Sequence, residues 1–345
     1  MIHFSHVCLD TFGYELPPRV LSSADIETRL SPVYERLRLP PGRLELMSGI
    51  RQRRLWPQGT RPSEAGSLAG KRVIDTAGVD AKAIDCLIFT SVSRDMMEPA
   101  TASFVHDKLG LSSSALIFDI SNACLGFLDG MVMLANMIEL GQVENGLIVS
   151  GETAEELLES TLLALLEDTT LSRKSIKPAF ASLTIGSGSV ALYMRRVKNS
   201  EDRPRLVHGA WQANTEHSDL CHGGRKGADS ILMATNSEEL LHRGVDTAQM
   251  TWNRFSAKAG WRADDIDQFF CHQVGSAHAK LLFERLELQP EKNFETLATL
   301  GNVGSVSAPI TMAMAMEQGA FLPGQKGALL GIGSGINCLM LGVEW

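Results

Sequence analysis

The sequence predicts an α/β fold made by duplicating one layered βαβ unit, and three observations predict it. Apolar runs of strand length alternate with amphipathic runs of helix length through the first half, in the order βαβα. The stretch Ala77-Gly78-x-x-Ala81-x-x-Ile84-Asp85, which leads into an apolar strand, returns as Ala259-Gly260-x-x-Ala263-x-x-Ile266-Asp267 ahead of another, at a constant offset of 182 (259 − 77). Leu109-Gly-Leu111 is answered by Leu286-Glu-Leu288 and Gly146-Leu-Ile-Val by Gly327-Ala-Leu-Leu, with a drift in offset that loop lengths explain.

Composition narrows the class. At 345 residues and 44% hydrophobic, the chain can bury a large core. A net charge of −8 argues against nucleic-acid binding, which needs an excess of Lys and Arg. Six cysteines stand without CxxC pairs or close Cys/His spacing, so neither a disulfide framework nor a metal site is expected, and a reducing cytoplasm fits them. No apolar run reaches bilayer length and the N-terminus has no signal-peptide pattern, so a protein that neither spans a membrane nor is secreted is expected.

In chain order, residues 1–20 read as strand and loop, and 24–40 as a helix with Leu30, Tyr34 and Leu37 on one face. A helix over 63–78, a buried strand over 85–90, a helix over 100–109 and a strand over 115–119 follow. Next come the helix after Cys124, a strand over 146–150, a Leu- and Glu-rich helical insertion over 153–180, and a strand over 188–194. The polar run from Arg195 to Arg205, with Pro204, reads as a linker, dividing the chain into halves at 1–195 and 205–345. In the second half a strand over 268–272 ends on His272, and a helix runs from Ser307 to Gln318.

Chemistry concentrates where these units repeat. Cys124 sits where a strand end turns into an apolar helix, and unpaired N–H groups and the helix dipole there favour thiolate. The alternative is that it is a small buried core residue, as most free cysteines are. Ligands gather at the carboxyl ends of strands in such sheets, and the duplication matches Thr90 with His272 and places Cys124 one residue from the counterpart of Asn302. A thiol, an imidazole and an amide there supply a nucleophile, a proton-transfer group and a donor for a developing oxyanion. Arg51, Arg53 and Arg54 read either as a solvated charge run or as a site for the phosphates of a substrate or an acidic carrier protein. Gly331-x-Gly-x-Gly335 is not a dinucleotide loop, because it lies ten residues from the C-terminus with no helix after it.

Taken together, Asn122-Ala-Cys-Leu-Gly-Phe, the His272-Gln273 pair, the Gly301-Asn302 turn and Gly331-Ile-Gly-Ser-Gly-Ile-Asn337 resemble, in order, the signature positions of the thiolase superfamily, in its ketoacyl synthase III-like branch. Thr90-Ser-Val-Ser-Arg-Asp-Met-Met-Glu-Pro-Ala-Thr-Ala-Ser103 is similar to the members that join two fatty acyl thioesters head to head. The resemblance implies a five-layered αβαβα fold, a homodimer, no resident cofactor, and an acyl-cysteine on Cys124. It also implies an oxyanion hole of the Cys124 and Ser334 N–H groups, with His272 and Asn302 holding the second thioester. Glu98 matches the position of a glutamate that reaches into the other subunit's acyl channel as the base for the α-proton; the local reading is a helix-entrance cap before Pro99. Gly186-Ser-Gly-Ser-Val departs from the glycine-rich pattern of initiating synthases, so acyl-CoA and acyl carrier protein both stand as donors. Decarboxylative condensation with a malonyl-carrier protein is the alternative reaction.

Overall fold

The structure, a computed structural model, describes residues 2–197, 203–225 and 231–345. The first half contributes strands β1 (Val7–Glu15), β2 (Cys86–Thr90), β3 (Leu116–Ile120), β4 (Asn145–Glu152) and β5 (Gly188–Arg196). The second contributes β6 (Arg205–Ala213), β7 (Gln268–Cys271), β8 (Lys326–Gly333) and β9 (Asn337–Glu344). Their order across the sheet is β7-β8-β9-β6-β1-β5-β4-β2-β3. Each half repeats the other. β2 pairs parallel to β4 as β7 does to β8, and β4–β5–β1 is antiparallel as is β8–β9–β6. β3 has only a vestige as counterpart, a parallel bridge between Phe269 and Asn293. The halves join where Cys8 pairs with Arg205.

Helices follow the same duplication. α1 (Pro62–Ala77) and α4 (Ser237–Ala259) both stop on a left-handed glycine, Gly78 and Gly260, and both lead through a 3₁₀ turn into a buried strand. Glycine takes that conformation without the Cβ clash that would cost other residues. α2 (Thr101–Leu109) matches α5 (Ser276–Leu286), and α3 (Gly126–Glu139) matches α6 (Ser307–Glu317).

Three apolar clusters stack these elements into five layers. Ala69, Val73 and Val105 from α1 and α2 pack on the outer face of the first half's strands, and Val245, Phe255 and Phe283 from α4 and α5 on the outer face of the second's. Between them α3 and α6 form the middle layer, with Phe127, Met131, Leu134, Ile310 and Met312 wholly buried against both sets of strands. A helix apolar on nearly every side is stable only when so enclosed, and each such side chain contributes about 2 kcal/mol of burial. The αβαβα arrangement expected from the resemblance is therefore the fold.

Two local expectations change. The helix over 24–40 is two short ones, Ser23–Arg29 and Ser31–Leu37, because Pro32 has no N–H to continue the first and fits the opening turn of the second. The insertion is α-helical only over Glu155–Glu167; after that it runs through turns and a short 3₁₀ helix, Lys177–Ala179, to Phe180. Leu158, Leu162 and Phe180 cap the first half by packing on Ile26, Leu30 and Tyr34. The linker read at 195–205 falls partly on residues 198–202, outside the described residues. Among the described residues no helix is long and apolar enough to cross a membrane.

Candidate active site

Cys124 stands on an elbow between β3 and α3. Ala123 has φ of +47°, rare for a residue with a side chain, and the turn closes when Leu125 N–H donates to the Asn122 carbonyl at 3.0 Å. Asn122 Nδ2 anchors the elbow to Asp129 on α3 at 2.8 Å. On this turn the Cys124 residue is partly exposed, whereas Cys8, Cys86, Cys271 and Cys338 are buried, but its thiol remains surrounded by protein. Its ionisation is opposite to the sequence expectation. Burial of the thiol pushes its pKa up to about 12, the Glu152 carboxylate and Cys221 add to the rise, and only its own N–H opposes it. Desolvation outweighs the helix N-terminus, and the resting nucleophile is a thiol.

His272 continues the β7 strand, its N–H donating to Leu330 O at 2.9 Å. It is buried, and Nδ1 has no hydrogen-bond partner among the described residues. Burial, reinforced by His278, pushes its pKa down to about 3, so the imidazole is neutral at physiological pH. The neighbouring Gln273 explains the His-Gln pair. Its Oε1 accepts from Thr296 N (2.9 Å) and Leu297 N (2.7 Å) and its Nε2 donates to Phe294 O (2.8 Å), clipping the end of β7 to the segment that leads into Asn302.

Asn302 follows Gly301, whose φ is +70°. Its backbone is locked by Asn302 N to Thr184 O (3.0 Å) and Gly186 N to Asn302 O (2.8 Å), and its Oδ1 accepts from Gly304 N at 3.0 Å. That donor fixes the amide, leaving Nδ2 on the side away from the turn. One bond ties this turn to the nucleophile's helix and another to β4: Ser305 Oγ accepts from Phe127 N at the start of α3 (2.9 Å), and Ser305 N donates to Glu152 (3.0 Å). The C-terminal turn closes from the other side. A Cβ on Gly331 would lie 2.5 Å from Leu125 Cδ2, and one on Gly333 3.0 Å from Leu125 Cγ, so these glycines let β8 reach the elbow. Ser334 then stands in the turn to β9, beside Gly335 with φ of +93°. The elements that carry Cys124, His272, Asn302 and Ser334 are thus linked at matched ends of the two halves through Phe127, Leu330, Ser305 and Leu125.

Glu98 is not brought there within the chain. It is exposed on the loop after β2, next to Met96 and Met97, the latter 93% exposed. The loop is held at both ends: Asp95 accepts from Ser63 N (2.8 Å), and Asp119 accepts from Thr101 N (2.7 Å) and Ala102 N (2.8 Å). The arginine triplet divides. Arg53 is wholly buried, which overturns its reading as a phosphate ligand. It alternates with Leu55 on the inward face of the Gln52–Leu55 strand, donates to Ser23 Oγ at 3.2 Å, and has its pKa pushed down to about 10 by burial. Arg54 donates to Pro17 O at 3.0 Å, and exposed Arg51 lines a shallow groove with Glu45, Leu46 and Ala298. Glu152, which no motif singles out, also belongs to this site. Its signal in the sequence is a carboxylate two residues past the strand Gly146-Leu-Ile-Val-Ser150, at the end where ligands bind.

Comparison with known proteins agrees with this geometry. Residues 118–168 match the 3-oxoacyl-(acyl-carrier-protein) synthase III family and residues 256–345 its C-terminal domain. An acyl-CoA:acyl-CoA alkyltransferase of Shewanella oneidensis is 38% identical over 99% of both chains, and one of Xanthomonas campestris is 36% identical over 99% of both. A β-ketoacyl-(acyl-carrier-protein) synthase III of Halalkalibacterium halodurans is 28% identical over 96% of each. A crystal structure of Xanthomonas campestris OleA with a cysteine replaced by serine and with lauric acid and lauroyl-CoA bound superposes with a TM-score of 0.94 at 36% identity, covering 99% of this chain and 100% of that one. A glutamate-to-glutamine variant of the same protein superposes with a TM-score of 0.95 at 35% identity, covering 100% and 98%. The chain belongs to the OleA family of acyl-CoA:acyl-CoA alkyltransferases, acyltransferases of the ketoacyl synthase III type.

Proposed function

We propose that this enzyme joins two fatty acyl-CoA molecules head to head by a Claisen condensation that keeps every carbon. The Cys124 sulfur attacks the first thioester, the Cys124 and Ser334 N–H groups hold the tetrahedral oxyanion, and coenzyme A leaves with the thiol proton. The second acyl-CoA lies with its carbonyl oxygen between His272 and Asn302 Nδ2. A neutral imidazole can fill this role, since it keeps one ring N–H to donate to the developing enolate oxygen. A base removes the α-proton, the carbanion attacks the acyl-cysteine carbonyl, and the C–S bond breaks to return the Cys124 sulfur and release a β-keto thioester.

Glu98 is that base, acting in the partner subunit's acyl channel. The observation that carries this is its exposure on a braced loop, directly after the exposed Met96 and Met97, with no side-chain hydrogen bond of its own among the described residues. A homodimer follows: β3 is an edge strand with Leu116 49% exposed, and pairing there covers both the strand and the methionines. Exposed Arg51 is the triplet's remaining candidate for the phosphates of coenzyme A or a carrier protein. Glu98→Ala tests the base. The variant is expected to accumulate acyl-Cys124, seen by intact mass, without releasing β-keto product. Normal condensation by that variant, or turnover of the native enzyme only with malonyl thioesters, favours the decarboxylating alternative.

A further inference from the structure

Glu152 is the one buried carboxylate beside the nucleophile among the described residues, and the mechanism above does not use it. It ends β4, is 4% exposed, and gathers donors from two segments far apart in the chain. Oε1 accepts from Val92 N (2.8 Å) and Ser305 N (3.0 Å); Oε2 accepts from Ser93 N (3.1 Å), Ser93 Oγ (2.9 Å) and Ser91 Oγ (3.2 Å). Ser91–Ser93 begin the loop that carries Glu98, and Ser305 belongs to the Asn302 turn. Ser305 Oγ in turn receives Phe127 N of the Cys124 helix. Gly304 is packed onto the same oxygen: a Cβ there would lie 2.8 Å from Glu152 Oε1. One carboxylate therefore bridges the loops of both halves, at the end of the strands where the reaction takes place. Burying such a group costs free energy that a structural tie on the surface would not incur.

We infer that Glu152 is a positioning residue, which sets the Asn302 turn and the Glu98 loop in register with Cys124 for the condensation step. This rests on the proposed roles of Asn302 and Glu98. Its demand is reach: both oxygens must span from Ser93 to Ser305. Gln keeps that length: its carbonyl oxygen can retain the Val92 and Ser305 N–H groups and its Nε2 can donate to the Ser91 and Ser93 hydroxyls, at the loss of the Ser93 N–H bond alone. Asp keeps the charge but is shorter by one methylene, about 1.5 Å, and cannot hold both loops.

The test compares Glu152→Gln with Glu152→Asp in two separate measurements on the full-length enzyme: single-turnover formation of acyl-Cys124 from lauroyl-CoA by intact mass, and steady-state release of β-keto product. The Gln variant is expected to stay within about 10-fold of the native enzyme in both. The Asp variant is expected to acylate within about 10-fold but to lose about 100-fold in condensation kcat with KM nearly unchanged, as a misplacement on the order of 1 Å predicts. Asp outperforming Gln would overturn the proposal in favour of a charge effect, and Asp performing as well as Gln would overturn it because reach would then not matter. Equal losses in both measurements, together with a lowered thermal midpoint for both variants, would overturn it in favour of a fold residue. The same comparison with malonyl-CoA as second substrate keeps the outcomes apart. If the native enzyme condenses only malonyl-CoA, the proposed function fails, while the Gln–Asp difference still decides on Glu152.

Discussion

Asn302→Asp isolates the donor that the condensation step requires. The substitution keeps side-chain length and an oxygen that accepts the Gly304 N–H at 3.0 Å, so the turn stays closed, but it exchanges Nδ2 for a second acceptor. Where the second thioester's carbonyl oxygen gains negative charge, a donor becomes an electron-rich oxygen. Loss of one such donor costs about 3–4 kcal/mol in the transition state, a fall of about 10²–10³ in condensation kcat. The first half-reaction depends on the Cys124 and Ser334 N–H groups, so acyl-Cys124 formation is expected to remain within about 3-fold. Asn302 is half-buried, and a carboxylate there costs on the order of 1–2 kcal/mol of stability, too little to unfold the chain. The assay pairs intact-mass kinetics of acylation with chromatographic detection of β-keto product. Condensation at more than a tenth of the native rate, or acylation falling as far as condensation, would refute the assignment of Asn302 to the second substrate.

The remaining predictions concern thiols, packing and pH. Iodoacetamide near pH 7 is expected to modify partly exposed Cys221 ahead of Cys124, whose reaction should rise about tenfold per pH unit as its thiol ionises toward about 12, while acyl-CoA labels Cys124 alone; peptide mapping reads both. Gly186→Ala places a Cβ 2.1 Å from the Leu300 carbonyl oxygen, backbone just ahead of the Asn302 turn, and is expected to destabilise by about 3 kcal/mol in chemical unfolding. His272 is held neutral in the folded chain. As pH falls below 6.5 the unfolded chain takes up a proton that the native one refuses until about 3, so its contribution to stability is lost at up to about 1.4 kcal/mol per pH unit across that window. His272→Asn should flatten that dependence, and an unchanged slope would contradict the burial argument.

Much of this was legible because duplication writes the same constraints twice. The offset that pairs residues 77–85 with 259–267 reappears as two helices ending on left-handed glycines before equivalent strands, and it locates Cys124, His272 and Asn302 at neighbouring ends. What escaped the sequence depends on three-dimensional burial. Three arginines within four residues look like a solvated run, yet strand alternation sends Arg53 inward. A helix N-terminus argues for thiolate until the surrounding desolvation is counted. Glu152 looks like one acidic residue after an apolar strand, because its five donors come from segments about 60 and 153 residues away in sequence.

The central claim is a condensation of two acyl-CoAs that loses no carbon, and isotope retention tests it most directly. The native enzyme would be given lauroyl-CoA labelled with ¹³C at the carboxyl carbon as sole substrate, and the β-keto product weighed before any later decarboxylation. The account predicts a product carrying both labels, with no ¹³CO₂ released during turnover and acyl-Cys124 as the intermediate. Absence of product until a malonyl thioester is added, or a product carrying a single label, would contradict it.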